Sequence, residues 1–129
     1  MEQVGIADFA EKPLFMLSGG MRQNAYIAMA LAQDTDYILL DEPTTYLDIA
    51  HQLELMKLLK KLADSGKGIV TVMHDLPLAF DFSDKLAVIN NGRISIQATP
   101  SEISELQVVE DIFGVKIKQA PKGKYLYEY

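Results

Sequence analysis

The chain has no cysteine and no tryptophan among its 129 residues. The absence of cysteine excludes disulfide bonds, thiolate metal sites and cysteine nucleophiles. Basic residues are scarce as well: 12 Lys and Arg face 18 Asp and Glu, and the net charge of −6 argues against a nucleic-acid partner. The longest strongly apolar run, residues 25–32, is far shorter than the roughly 20 residues that cross a bilayer. Any membrane association is therefore expected to depend on another subunit.

Hydrophobic residues make up 49% of the sequence, which is enough for one packed domain. The order of apolar runs and turn residues predicts an α/β fold with short parallel core strands between helices. The predicted helices cover residues 1–10, 18–33, 48–64, 76–82 and 99–113. The predicted strands cover residues 37–40 and 69–73, a hairpin near residues 86–97, and part of 115–129, which otherwise is expected to be a loose tail. Because the first long helix is apolar nearly all round and the first strand is a continuous apolar run, both are expected to be buried on all sides.

Two carboxylates, Asp41 and Glu42, end the first predicted strand. Ligands of α/β sheets bind beyond the carboxyl ends of the strands, so the pair lies where a site is expected. One carboxylate could bind a magnesium ion through water, and the other could orient or deprotonate an attacking water. The pair by itself fits a solvated acidic turn equally well.

A second candidate is the turn Ser18-Gly19-Gly20, which opens the first long helix. The two glycines allow close approach of a ligand, and the helix N-terminus attracts anions such as a terminal phosphate. Taken alone, the turn is more simply an ordinary helix start with Ser18 as the N-cap. His74, after the second strand, could donate to a phosphate oxygen or serve only in the structure, and His51 is expected to be structural.

In this order and spacing, the segments resemble the C-terminal half of the ATP-binding subunit of ABC transporters. Residues 17–23 resemble the signature motif, residues 38–43 the Walker B strand, residues 44–48 the D-loop, and His74 the switch histidine. The stretches 17–23, 28–33 and 44–52 are similar to importers of the iron–siderophore, haem or cobalamin type. The resemblance implies ATP and Mg²⁺ as cofactors of the complete domain.

The resemblance also assigns roles to residues. It implies that Asp41 binds Mg²⁺ and that Glu42 and His74 are catalytic, all three in the subunit's own site. It also implies a set of residues that bind the nucleotide, partly through contact with the γ-phosphate held by the opposite subunit. These nucleotide-binding residues are Ser18, Gly19, Gly20, Gln23 and Asp48.

By the same resemblance, the partners are a second ATPase subunit in a dimer and membrane permease subunits, with the ATPase at the cytoplasmic face of the membrane. Residues 1–33 would end a helical subdomain, residues 34–114 would form the Walker B, D-loop and switch-histidine core, and residues 115–129 a C-terminal tail. Within an importer of this type, the transported substrate is not readable from the ATPase.

The sequence contains no G-x-x-x-x-G-K-[ST] loop, which cradles nucleotide phosphates in this family. We therefore expect this polypeptide alone not to hydrolyse ATP, and to self-associate through an open sheet edge. Three other hypotheses remain open: a non-catalytic module that pairs with intact subunits, a soluble ABC ATPase of the repair or translation kind, and an unrelated α/β binding domain with accidental motifs.

Overall fold

A computed structural model describes residues 5–121 and 123–128, which divide into two compact units, one ending at Met73 and the other beginning at His74. The first unit contains two short 3-10 turns (Ala7–Phe9 and Leu14–Met16), helices α1 (Gly19–Ala32) and α2 (Ile49–Asp64), and strands β1 (Tyr37–Asp41) and β2 (Gly68–Val72). The second contains α3 (Leu76–Phe82), β3 (Leu86–Asn90), β4 (Arg93–Ala98), α4 (Pro100–Ser104), α5 (Val108–Phe113), β5 (Lys116–Gln119) and β6 (Tyr125–Glu128). The helix predicted at residues 1–10 lies partly outside the described residues.

Strands β1 and β2 are parallel, with Tyr37 opposite Gly68 and Asp41 opposite Val72. The predicted α/β fold with parallel core strands is thus confirmed, but burial of the strands on both faces is wrong. Ile38 is 4% exposed whereas its neighbour Leu39 is 75% exposed, because alternate side chains of a strand point to opposite faces. We call the exposed side the open sheet face, formed by Tyr37, Leu39, Val70 and Val72. A continuous apolar run shows what a strand could bury, not whether a second layer covers it.

Helix α1 begins and ends where the sequence predicts, but its burial on all sides is wrong as well. Ala25, Ile27 and Ala28 are buried, while Tyr26 and Met29 are about half exposed. Helix α2 follows its prediction closely, with Asp48 as the N-cap. Its buried side chains recur at helical spacing, as expected for one face packed on a sheet: Leu55, Met56, Leu59 and Leu62.

The second unit has its own apolar core. The buried members are Phe80, Val88, Ile103, Val109, Ile117 and Tyr125. The predicted hairpin is confirmed: β3 and β4 are antiparallel, and the turn residues Asn91 and Gly92 have φ values of 48° and 72°.

The predicted helix 99–113 is wrong as a single element, because it breaks into α4 and α5. Ile103 and Val109 both enter the same core. In one straight helix, positions six apart would point about 120° away from each other. The break between the two helices lets both side chains be buried. Gly114 ends α5 in the left-handed conformation, as its position after the predicted helix suggests.

Residues 125–128 form strand β6, antiparallel to β5, where the sequence predicts a loose tail. Tyr125 is buried, its ring lies 5.1 Å from that of Phe80, and its N–H donates to Asp81 Oδ1 at 2.8 Å. These contacts join positions far apart in the chain, and no local sequence pattern reports them. Tyr129 lies outside the described residues.

Candidate functional site

The turn at Ser18 starts helix α1. The Ser18 hydroxyl accepts a hydrogen bond from the Met21 N–H at 3.3 Å and so caps the helix. Gly19 and Gly20 follow in the first turn, where an α-helix provides no backbone acceptor for N–H groups. The turn therefore has the geometry that suits an anion, since those N–H groups and the helix dipole point the same way.

Asp41 and Glu42 lie at the carboxyl end of the parallel strand pair. Asp41 is the last residue of β1 and is exposed, and the Glu42 N–H donates to the Val72 carbonyl at 3.1 Å. Glu42 has a φ of 45°, an uncommon conformation for a residue with a side chain. The Thr45 hydroxyl donates to Glu42 Oε2 at 3.1 Å, so the carboxylate is held by its own turn.

The loop from Glu42 to helix α2 is fixed by hydrogen bonds to the start of that helix. The Gln52 amide donates to the carbonyls of Thr44 and Leu47 at 3.3 and 3.0 Å. Asp48 accepts from the His51 N–H at 3.0 Å and lies 2.8 Å from the His51 ring Nδ1. The backbone hydrogen bond from His51, followed by the ring hydrogen bond, holds the pKa of the Asp48 carboxyl below its ordinary value.

The Ser18 turn and the start of α2 are packed together. A methyl group added to Gly20 would lie 3.0 Å from His51 Cδ2, and one added to Gly19 would lie 3.7 Å from the Tyr46 carbonyl oxygen. The structure thus joins the turn to the loop that begins at Glu42. Sequence reasoning gave His51 no site role. The spacing of Asp48 and His51, three residues apart at a helix start, is the signal that could have linked them.

The remaining predicted site residues are placed as follows. Gln23 is half-buried in α1, within the first unit. His74 is exposed in the second unit, where it lines a groove of about 280 Å³ with Phe113, Val115 and Tyr127. The first unit therefore contains seven of the eight predicted residues; they are Ser18, Gly19, Gly20, Gln23, Asp41, Glu42 and Asp48.

The acidic residues fit a metal only as one part of a shared site. Over residues 5–121 and 123–128, no three His, Cys, Asp or Glu side chains are grouped so as to hold a metal ion. Mg²⁺ is usually bound by one or two carboxylates together with waters and substrate phosphates. The exposed Asp41 carboxylate suits such a site, whose other ligands would come from phosphate and water.

Among residues 5–121 and 123–128, no helix has the length and hydropathy of a membrane span.

Comparison with known proteins gives the chain a family. A family model described as ABC transporter matches residues 1–45, which include the Ser18 turn and Glu42. The petrobactin import ATP-binding protein FpuD of Bacillus anthracis is 49% identical over 113 residues, or 87% of this chain and 41% of the relative. The iron(3+)-hydroxamate import ATP-binding protein FhuC of Bacillus subtilis is 44% identical over 116 residues, or 89% of this chain and 43% of the relative.

The chain belongs to the ABC ATPases. Among solved structures, the ATP-binding cassette MJ0796, described as a dimer in a post-hydrolysis state bound to ADP and Pi, has a TM-score of 0.64 and 34% identity. That similarity covers 77% of this chain and 44% of the solved one. This ABC ATPase chain spans less than half the length of these curated relatives, and it has the fold of part of a P-loop NTPase domain. The resemblance to iron–siderophore importer ATPases is confirmed by the names and identities of the relatives.

Proposed function

We propose that this chain carries the water-activating and phosphate-contacting residues of an ATP-hydrolysing subunit of an importer for iron–siderophores or related metal chelates. The observation that supports it best is the continuous path from Glu42, at the end of β1, through the loop to His51 and the Ser18 turn. One segment of structure thereby holds both the candidate base and the candidate anion site. The petrobactin import and iron(3+)-hydroxamate import named for the relatives support the substrate class.

In the subunit's own site, Glu42 orients and deprotonates the attacking water, and Asp41 would hold Mg²⁺. The Thr45 hydroxyl, bonded to Glu42 Oε2, limits the directions in which the carboxylate can point. His74 donates to the γ-phosphate. Bound Mg²⁺ would neutralise developing charge on the phosphate oxygens.

In the opposite subunit's site, the Ser18 turn contacts the γ-phosphate, with Gln23 on the same helix. The N–H groups of Gly19 and Gly20 and the Ser18 hydroxyl supply neutral donors, which stabilise charge on a phosphate without requiring a proton transfer. Asp48 takes part by holding the start of α2 against this turn.

The partners that follow are a second ATPase subunit and membrane permease subunits, with the ATPase peripheral at the cytoplasmic face. Residues 1–33 then end a helical subdomain, 34–114 form the catalytic core and 115–129 its C-terminal segment. Because this chain has no phosphate loop of its own, the isolated polypeptide does not hydrolyse ATP. Each strand of the two-stranded β1–β2 sheet has one edge with no backbone partner among the described strands, which favours self-association.

The experiment is a chimeric subunit in which this chain takes the place of the matching segment of FpuD and is joined to a segment that bears a phosphate loop. We expect ATP hydrolysis, and a loss of about a hundredfold or more in kcat with Glu42→Gln, because the general base is removed. Glu105→Gln, on an exposed glutamate of the second unit, is the matched control and should retain the parent rate.

A chimera that folds and binds ATP, yet hydrolyses it equally well before and after the Glu42→Gln substitution, would contradict the proposal. So would turnover by the isolated chain that disappears with Glu42→Gln, because the phosphate loop would then be unnecessary.

A further inference from the structure

His51 occupies the contact between the two segments that the proposed function uses. Its Nδ1 lies 2.8 Å from Asp48 Oδ2, and its Cδ2 would lie 3.0 Å from a methyl group on Gly20. The ring is thus held on one side by a carboxylate and meets backbone on the other. Its side chain is 54% exposed, so burial in a core does not account for its position.

The ring's orientation is set by Asp48, which is also the N-cap of α2. The Asp48 carboxylate accepts from the His51 N–H with Oδ1 and faces the ring with Oδ2. One carboxylate therefore fixes both the backbone and the side chain of His51. A charge-assisted hydrogen bond of this length holds a ring more firmly than a neutral one.

Gly20 provides the space that the ring occupies. Nothing in its backbone requires glycine, because its φ lies outside the left-handed region that glycine alone adopts readily. Its lack of a side chain instead allows the imidazole to lie against the main chain of the first turn of α1. The ring consequently limits how far that turn can move toward α2.

We propose that His51 is a positioning residue for the Ser18 turn: its ring, oriented by Asp48, supports the Gly20 backbone and sets the direction of the first N–H groups of α1. This rests on the proposed function, in which those groups contact the γ-phosphate held by the opposite subunit. His51 touches no reacting atom. It acts through the turn, and it links that turn to the loop carrying Glu42.

The direct test uses the isolated chain, labelled with ¹⁵N, and measures by NMR relaxation the order parameters of the Gly19 and Gly20 N–H groups, which report how firmly the turn is held. We expect His51→Asn, which removes the ring that lies against Gly20, to lower both order parameters. His51→Phe keeps an aromatic ring at Gly20 and should stay closer to the parent. Lys57→Gln, exposed on the same helix, should match the parent. Parent-like order parameters in His51→Asn would overturn the proposal.

The second test uses the FpuD chimera and separates the ring from its hydrogen bond. His51→Asn can still donate to Asp48 but lacks the ring, and we expect kcat to fall about tenfold with little change in KM for ATP. His51→Phe should lose less, because the ring contact persists. Lys57→Gln, exposed on the same helix, is the control and should match the parent.

Parent-like kcat in His51→Asn would overturn the positioning role. An inactive parent chimera would instead remove the proposed function, while the amide order parameters of the isolated chain would still decide whether the ring supports the turn. The two failures are therefore distinguishable.

Discussion

The two units of the chain differ in how completely they bury their apolar side chains. The unit that begins at His74 encloses a core of six buried residues, drawn from its helices and strands. The unit that ends at Met73 leaves one side of its sheet uncovered, with Leu39 75% and Tyr37 69% exposed. That same unit carries seven of the eight predicted site residues. The unit that carries most of the predicted site residues thus leaves one face of its parallel sheet exposed.

The exposed apolar side chains of the first unit indicate a surface whose burial depends on something outside that unit. Monomeric proteins rarely expose large contiguous apolar patches, so the open sheet face is a surface where a further layer or another molecule would be stabilising. The second unit also exposes apolar side chains on its strands, among them Ile89 at 58% and Ile94 at 60%. Its strands β5 and β6, however, pack against helices of the same unit and contribute Ile117 and Tyr125 to its core.

The largest effect is expected from breaking the core of the second unit with Ile103→Ala. Ile103 is fully buried, and its truncation should lower the free energy of unfolding by about 3 kcal/mol. The measurement is urea denaturation followed by circular dichroism. Ile94→Ala, on a side chain that is 60% exposed, is the control and should change stability by less than about 0.5 kcal/mol. Equal losses in the two variants would contradict the core assignment.

A smaller effect is expected at the link between α3 and β6. Asp81→Ala removes the acceptor of the Tyr125 N–H and the ion pair with Lys124 at 3.1 Å. Leaving a buried N–H without a partner should cost about 2 kcal/mol, measured by the same denaturation. Asp81→Asn keeps an acceptor and should recover most of the loss. If alanine and asparagine destabilise equally, the hydrogen bond to Tyr125 does not stabilise β6.

Changes on the open sheet face are expected to affect self-association more than the free energy of unfolding. Leu39→Lys replaces an exposed leucine, so unfolding should change by no more than about 0.5 kcal/mol. We expect the weight-average mass of the isolated chain, from sedimentation equilibrium at high concentration, to fall toward that of a monomer. Lys57→Gln on α2 serves as the control. A parent chain that is already a monodisperse monomer would contradict the expected self-association.

The smallest effect is a shared acid dependence, because each unit has a carboxylate at a helix start with a lowered pKa. Hydrogen bonds from His51 hold the pKa of Asp48 below its ordinary value, and hydrogen bonds from Thr99 do the same for Glu102. A lowered folded pKa means that the stabilisation is present above the unfolded pKa, near pH 4, and is lost as pH falls through the folded value. Carboxyl-carbon NMR titration should show both midpoints below those of unfolded peptides; midpoints at or above them would contradict the observed bonds.

Particular residues show which helices, strands and turns can be predicted from the sequence and which cannot. Ser18, Asp48 and the Asn91–Gly92 turn act through local backbone chemistry, so the elements they start or connect were predicted closely. The break between α4 and α5 was not, because it depends on Ile103 and Val109 meeting the same core. Nor was strand β6, whose Tyr125 is held by Asp81, 44 positions earlier in the chain.

For the candidate site, the sequence predicted the segments but not their junction. The residues came from resemblance to the ABC ATPase signature, Walker B and D-loop segments, and the comparisons confirm the family without testing each role. The contact of His51 with Gly20 joins residues 31 positions apart and depends on the packing of two helix starts. Periodicity and motif spacing describe each segment separately, so they do not report such a contact.

We propose above that one chain activates water in its own site and contacts phosphate in its partner's. Mixing two inactive FpuD chimeras tests this directly: one with Glu42→Gln and an intact Ser18 turn, the other with Ser18→Arg and an intact Glu42. In a symmetric dimer, each mixed pair then has one complete site. We expect an equimolar mixture to recover about a quarter of the parent ATPase rate, since about half of randomly formed dimers are mixed and each has one working site of two. Two folded, dimerising variants that stay inactive when mixed would contradict it.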